Sequence, residues 1–288
     1  MDNFLLKYQE MISLRGLTEN TRKTYTSYLK AYFEYLQLYL HKSPEEVSWE
    51  ELRQFVFYLQ QQRQLSNHTI NHCIKQLRFF TIYVLHKPWD PYQLPYRKID
   101  TFLPYVPSKE EVYSFISTIH DIKLKTMVSL MYSAGLRIGE VRLLRYHDVQ
   151  RKKGRIHISK TKNRSDRYAI LSQNMLNLLT QYWFAHQKPE GWLFPQPRNQ
   201  KNPIDCQTIS RNFNIHRTQG NHHHRITCHS MRHAFGTHLY EDGIDLLTIK
   251  KLLGHKSIQS TTIYVTLSSI DTDKVISPFD KLGGDIDG

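Results

Sequence analysis

The residues of this chain that could do chemistry fall in three short clusters. Gly135-Leu136-Arg137-Ile138-Gly139-Glu140 comes first, His229-Ser230-Met231-Arg232-His233 second and Leu253-Gly254-His255 third, with Tyr264 nine residues past that last histidine. Together they hold a hydroxyl nucleophile, guanidinium groups that keep their proton at physiological pH, and imidazoles whose ordinary pKa of about 6.5 suits proton transfer. This is the inventory for breaking and remaking a phosphodiester without a metal. Attack on phosphorus builds a five-coordinate centre with extra negative charge on its non-bridging oxygens, and fixed donors must neutralise it. Arginine's planar fork gives such oxygens two parallel hydrogen bonds.

Taken singly, each residue has an ordinary explanation as a solvated or structural side chain. Spacing sharpens the set. His229 and Arg232 are three apart at an expected helix start, so both project from one face. His255 follows a glycine that should end a helix, where it can reach the same phosphate. Tyr264 is one of 18 tyrosines, and its distance from the glycine–histidine pair singles it out. Its phenol, with an ordinary pKa near 10, needs a cationic site and loss of its proton in order to attack. Glu140 can offset the charge of a helix start.

These motifs, in this order, resemble those of the tyrosine recombinases, the integrase family that includes the Xer proteins and lambda integrase, over nearly the whole chain. The resemblance implies a mainly α fold with a small β-hairpin or sheet. An N-terminal SAM-like helical core-binding domain (residues 1–86) and a mostly helical catalytic domain (107–288) would clamp opposite faces of a duplex, joined by a linker (87–106). It implies Arg137, His229, Arg232, His255 and Tyr264 as catalytic residues, with a lysine on the hairpin between the two arginine motifs. It also matches Glu140 to an acidic family position that helps orient the site, and both readings of Glu140 stay open. Counting back from Arg167 matches that lysine to Lys162 in preference to Lys160, although the hairpin departs from the commonest glycine-lysine-glycine form.

The implied activity is site-specific DNA cutting and rejoining through a 3′-phosphotyrosyl link, which conserves the bond's free energy and needs neither ATP nor cofactor. The implied partners are double-stranded DNA with an inverted-repeat core site and a homotetramer on two such sites, or an assembly with a related recombinase. The tail Leu267–Gly288, with Val275, Ile276, Phe279 and Leu282, would dock on a neighbouring subunit. Rival readings are a type IB topoisomerase, a non-catalytic DNA-binding protein of the same fold, and a metal-dependent nuclease.

The bulk properties agree with a DNA-acting protein. The chain has 288 residues, enough for two domains, and a formal net charge of +13 that favours polyanionic partners. No apolar run approaches the ~18 residues of a membrane span, and the N-terminus lacks a signal-peptide pattern. Cys73, Cys206 and Cys228 are odd in number and lack metal-ligand spacing, which points to reduced thiols in a cytoplasmic, nucleoid-associated protein. His222-His223-His224 is a poor chelate because consecutive loop residues rarely converge on one ion, so a DNA-proximal loop is the better reading.

The elements that must position these groups are legible in outline. Helices are expected near Phe4–Leu14, after Thr18 to about Leu40, after the Ser48–Glu51 capping box, and after Ser66. Their tyrosines read as core or boundary residues, and Lys23, Lys30, Lys75 and Arg78 as exposed cations. Five of the 11 prolines fall within 88–107, which excludes a helix interior there. Beyond it, a Ser108–Glu111 capping box, a helix ending near Gly135, a hairpin of 155–159 with 167–171, and helices starting at Ser172, Asp205, Ser230, Asp245 and about Ser257 complete the pattern.

Overall fold

A computed structural model describes residues 1–100, 102–159 and 166–268. The chain divides into two compact units, residues 1–102 and 103–288, each with its own apolar core.

The first unit is four helices: α1 (Asp2–Ser13), α2 (Glu19–Tyr35), α3 (Trp49–Gln61) and α4 (Asn67–Tyr83). Thr18, Ser48 and Ser66 cap α2, α3 and α4 through their side-chain oxygens, as expected, and Glu51 closes the capping box of α3. The predicted helix to Leu40 ends earlier as α-helix: Leu36–Leu40 winds as a π-helical turn that stops at His41, whose φ is 52°. Apolar positions three and four apart put Tyr8, Tyr32, Phe55 and Phe80 in one aromatic interior. Lys23, Lys30, Lys75 and Arg78 are exposed.

The proline-rich stretch packs on this same unit for much of its length. Trp89 meets Trp49 edge to face, Leu94 is buried in the core, and Asn71 exchanges hydrogen bonds with the backbone of Arg97.

The second unit holds α5 (Lys109–Ser117), α6 (Ile122–Ser133), α7 (Ile138–Arg142), α8 (Gln173–Ala185), α9 (Cys206–Gln219), α10 (Cys228–Glu241), α11 (Leu246–Leu253) and α12 (Gln259–Leu267). The expected hairpin is present and gains a third strand. β1 (Val149–Gln150), β2 (Arg155–Ile158) and β3 (Arg167–Ile170) form an antiparallel sheet in the order β1-β2-β3, with Arg155 opposite Ile170 and Ile158 opposite Arg167. Lys160 and Lys162 lie outside the described residues, as does the tail beyond Ser268.

One helix start is corrected. α10 begins at Cys228, because Thr227 accepts the Ser230 N–H and Ser230 answers with its hydroxyl, so Ser230 sits at the third helical position and not at the cap. α10 crosses α6 and α12 at the centre of the unit. No described helix is long and apolar enough to cross a membrane.

Candidate active site

Arg232 projects from the first turns of α10 and is 2% exposed. A buried guanidinium is costly unless its donors are satisfied. Its Nη1 donates to the Gly135 carbonyl and its Nη2 to the Leu253 carbonyl at 2.7 Å, which ties the ends of α6 and α11 to α10. Burial, then repulsion from Arg137, lowers its pKa to about 9, against the opposing pull of Glu140. At neutral pH it remains cationic.

Glu140 organises the arginines around it. This carboxylate is 5% exposed on α7. Its Oε1 accepts from Arg137 Nη1 at 2.9 Å, while its Oε2 accepts the Arg137 backbone N–H at 2.8 Å and Arg167 Nη2 at 2.7 Å. Arg232 Nη1 stands 3.6 Å from the same Oε2. Both sequence readings of Glu140 therefore hold: it closes the helix start at Arg137 and it orients the guanidinium groups. Arg137 also reaches the Leu253 carbonyl at 3.4 Å.

Tyr264 lies on α12 and is 1% exposed. The hydroxyl end of its ring packs against α10 at Gly236, where an added Cβ would stand 2.5 Å from Cζ, so only glycine admits it without a shift. The His255 ring lies nearly parallel to it with centroids 6.2 Å apart, and the His233 ring is 6.0 Å away. Burial raises the phenol pKa, whereas Arg232 and Arg137 pull it down. The phenol thus sits within the field of both guanidinium groups.

The imidazoles are neutral in this setting. Burial, then Arg232 and Arg137, lowers the pKa of His255 to about 3 and also lowers that of His229. His233 falls to about 4 through burial, with repulsion from His229 and Arg232. His229 meets His233 edge to face at 4.4 Å, and His255 Nδ1 lies 2.9 Å from the Thr261 hydroxyl, which fixes its ring.

The structure therefore brings together Arg137, His229, Arg232, His255 and Tyr264 from α7, α10, the α11–α12 turn and α12. Cys228, beside them in sequence, packs on the core, and burial pushes its thiol up to about 12. The histidine run serves packing at two positions: His222 lies against Phe115 and His223 stacks on Tyr105 at 4.4 Å. Among the described residues, no group of three or more His, Cys, Asp or Glu is arranged to hold a metal ion.

Sequence reasoning missed three contributors. Arg167 served only as a counting mark, yet strand alternation places it on the same face as buried Ala169 and opposite exposed Tyr168 and Ile170. Gly236 is a lone glycine inside a helix, a sign of close approach. Thr261, fully buried beside His255, carries no comparable signal.

A mostly helical unit that gathers guanidinium groups, imidazoles and one phenol defines the class of the tyrosine recombinases, enzymes of site-specific DNA recombination. The chain belongs to the phage integrase family, whose model matches residues 108–269, while the model of that family's N-terminal SAM-like domain matches residues 4–91. A Sinorhizobium fredii protein named as an integrase/recombinase is 30% identical over 277 residues, covering 96% of this chain and 88% of its own length. The tyrosine recombinase XerD of Staphylococcus saprophyticus is 26% identical over 295 residues, covering 97% and 99%. A crystal structure of a lambda integrase dimer bound to a core site shares the fold, with a TM-score of 0.76 at 18% identity and coverage of 96% and 99%. The SAM-like half sets the chain apart from the topoisomerase alternative, which these likenesses do not favour.

Proposed function

We propose that Tyr264 is the nucleophile of this recombinase. The phenol oxygen attacks phosphorus and its proton passes to His229, whose depressed pKa keeps it neutral and able to accept. Arg137 and Arg232 hold the non-bridging oxygens, and His255 bonds the same phosphate. The bond from phosphorus to the 5′ oxygen breaks, and Lys162 gives that oxygen a proton. The products are a 3′-phosphotyrosyl ester and a free 5′ hydroxyl. Attack by a 5′ hydroxyl on the ester reverses each transfer and rejoins the strand, so no energy source is consumed.

The observation that carries this reading is the burial of Tyr264 within the field of Arg137 and Arg232. Because the ring is 1% exposed, α12 must draw back from Gly236 for DNA to reach it. The groove beside His255, ≈ 490 Å³ and lined by Arg167, Lys250, Lys251 and Lys256 with one carboxylate, Asp166, carries an excess of cations that suits a phosphate backbone. Tyr264→Phe should abolish covalent protein–DNA adducts on a nicked core-site duplex while keeping site binding. An adduct persisting in that variant refutes the assignment.

We further propose that the helical half, residues 1–86, grips the duplex with the catalytic half, and that four copies act on two inverted-repeat sites inside the cell, at the nucleoid, to integrate, excise or resolve DNA of a mobile element. The tail Leu267–Gly288 would join neighbouring copies. Deleting residues 271–288 should weaken tetramer assembly with both folds intact; unchanged assembly excludes that role.

A further inference from the structure

We infer that Arg167 is a positioning residue that sets the charge of the site: by occupying Glu140 Oε2 it leaves Arg232 committed to the phosphate and holds the guanidinium–carboxylate cluster at two net positive charges. This rests on Tyr264 being the nucleophile.

The geometry gives Arg167 this role. Its side chain is 9% exposed and its Nη2 lies 2.7 Å from Glu140 Oε2, the same oxygen from which Arg232 stands off at 3.6 Å. A carboxylate oxygen already serving Arg167 and the Arg137 backbone N–H has little lone-pair capacity left for a third donor. Arg232 is held instead by two carbonyls, which carry no formal charge and leave its own undiminished. Room for Arg167 is built in at Gly254, with φ of +63°, where any Cβ would overlap the arginine's Cδ.

The charge tally then fits the reaction. Leaving aside His229 and Lys162, through which the protons pass, Arg137, Arg167 and Arg232 against Glu140 give 3 − 1 = +2 among the described residues. The neighbouring imidazoles are neutral, since burial and the arginines depress His229, His233 and His255. A diester phosphate carries one negative charge, and attack by a phenolate raises this to two in the five-coordinate state. A pocket at +2 matches the transition state and exceeds the ground state, the differential that accelerates chemistry over binding. Without Arg167 the tally is +1, and Glu140 is released to close on Arg232. Of the groove's lysines, Lys251 and Lys256 are exposed and screened by water and salt, and half-buried Lys250 adds the same charge with or without Arg167.

The test compares Arg167→Gln, Arg167→Lys and the pair Arg167→Gln/Glu140→Gln in single-turnover cleavage of a nicked core-site duplex at saturating protein, with site affinity measured alongside. Arg167→Gln should cleave about 10²-fold slower, the scale of losing one transition-state donor, while affinity changes by less than about tenfold, as for a lost phosphate-region charge. The lysine variant, which restores the tally, should recover to within about tenfold of wild type, and the double variant, which restores the charge but loses the carboxylate that orients Arg137, should still cleave faster than Arg167→Gln. Wild-type cleavage by Arg167→Gln, or three variants equally slow, overturns the inference; the second result makes Arg167 a packing post. If Arg167→Gln lacks a native circular dichroism spectrum, the lysine variant decides by the same margin. Wild type and Tyr264→Phe run beside them: no wild-type adduct, or an adduct from Tyr264→Phe, removes the nucleophile reading, whereas correct controls beside a fast Arg167→Gln remove only this one.

Discussion

Tyr8 and Tyr32 in the first unit and Tyr264 in the second are buried alike, at 0%, 2% and 1% exposed, but their surroundings differ in kind. Burial is the largest cause raising the phenol pKa of all three. Tyr8 donates a hydrogen bond to Gln76 Oε1 at 2.8 Å, and Tyr32 lies among aromatic rings with Glu51 raising it further. Only around Tyr264 do two guanidinium groups oppose the burial. Burial by itself makes a tyrosine inert. Burial beside fixed cations makes it an acid waiting for a base, with a ready site for the charge that follows.

The largest effect that could break this contrast is at the three rings. Tyr264→Phe should lower adduct formation by more than about 10⁴-fold, as removal of a nucleophile does. Tyr8→Phe should leave adduct formation intact and cost about 1 kcal/mol of stability for the lost hydrogen bond. Adduct yield on denaturing gels and urea midpoints read both quantities. Equal adduct loss in both variants would erase the distinction.

Next in size is the arginine. Arg232→Ala leaves the buried carbonyls of Gly135 and Leu253 without their donors, at roughly 1–3 kcal/mol for each, so it should cost stability as well as cleavage. Arg232→Lys keeps the charge but lacks the fork that bridges Gly135 and Leu253. It should stay slow and recover only part of the stability. A lysine variant with wild-type unfolding and cleavage would show that charge alone suffices there.

The same contrast explains what was legible in the sequence. Helices of the first unit announce themselves by cap residues and three-to-four spacing, because their tyrosines do nothing but fill a core. The π-helical turn at Leu36–Leu40 was not legible, since apolar periodicity continues through it and tertiary packing decides the winding. In the second unit the motifs named Arg137, His229, Arg232, His255 and Tyr264 through their resemblance to the tyrosine recombinases. They could not show that Glu140 serves two helical roles at once, or that Arg167 shares its carboxylate across 27 residues of chain. Such pairings are set by where β3 meets α7, a long-range outcome that local pattern does not encode. The cap of α10 lies three residues before the expected Ser230 because Thr227 and Ser230 are both good caps, and only the reciprocal bonds distinguish them.

A smaller effect separates the two units by acid. A histidine whose folded pKa lies below its unfolded value near 6.5 takes up protons on unfolding, so its stabilising contribution is full above about pH 6.5 and drains as pH falls toward the folded value. In the second unit His255 and His233 sit at about 3 and about 4, and His222, His229 and His238 are also lowered. In the first unit His72 is lowered by burial. Thermal unfolding followed between pH 7.5 and 5.0 should therefore show the catalytic unit losing stability first. His233→Asn should shrink that loss; a pH dependence unchanged by it would place the acid sensitivity elsewhere.

The smallest effect is the most discriminating, because one chemical edit is made in both units. Thr18 accepts the Thr21 N–H at 3.0 Å and caps α2, while Thr227 accepts the Ser230 N–H at 3.0 Å and caps α10. Alanine at either position should cost about 1 kcal/mol. In the first unit the frayed turn carries no reacting group, so Thr18→Ala should cleave at the wild-type rate once folded. In the second the loosened turn carries His229 and leads into Arg232. Thr227→Ala should slow single-turnover cleavage by about tenfold, short of the ~10² that a full ångström of misplacement costs. Equal rates for the two alanine variants at matched folded fraction would mean that the carbonyls of Gly135 and Leu253, and not the cap, hold the start of α10 in register.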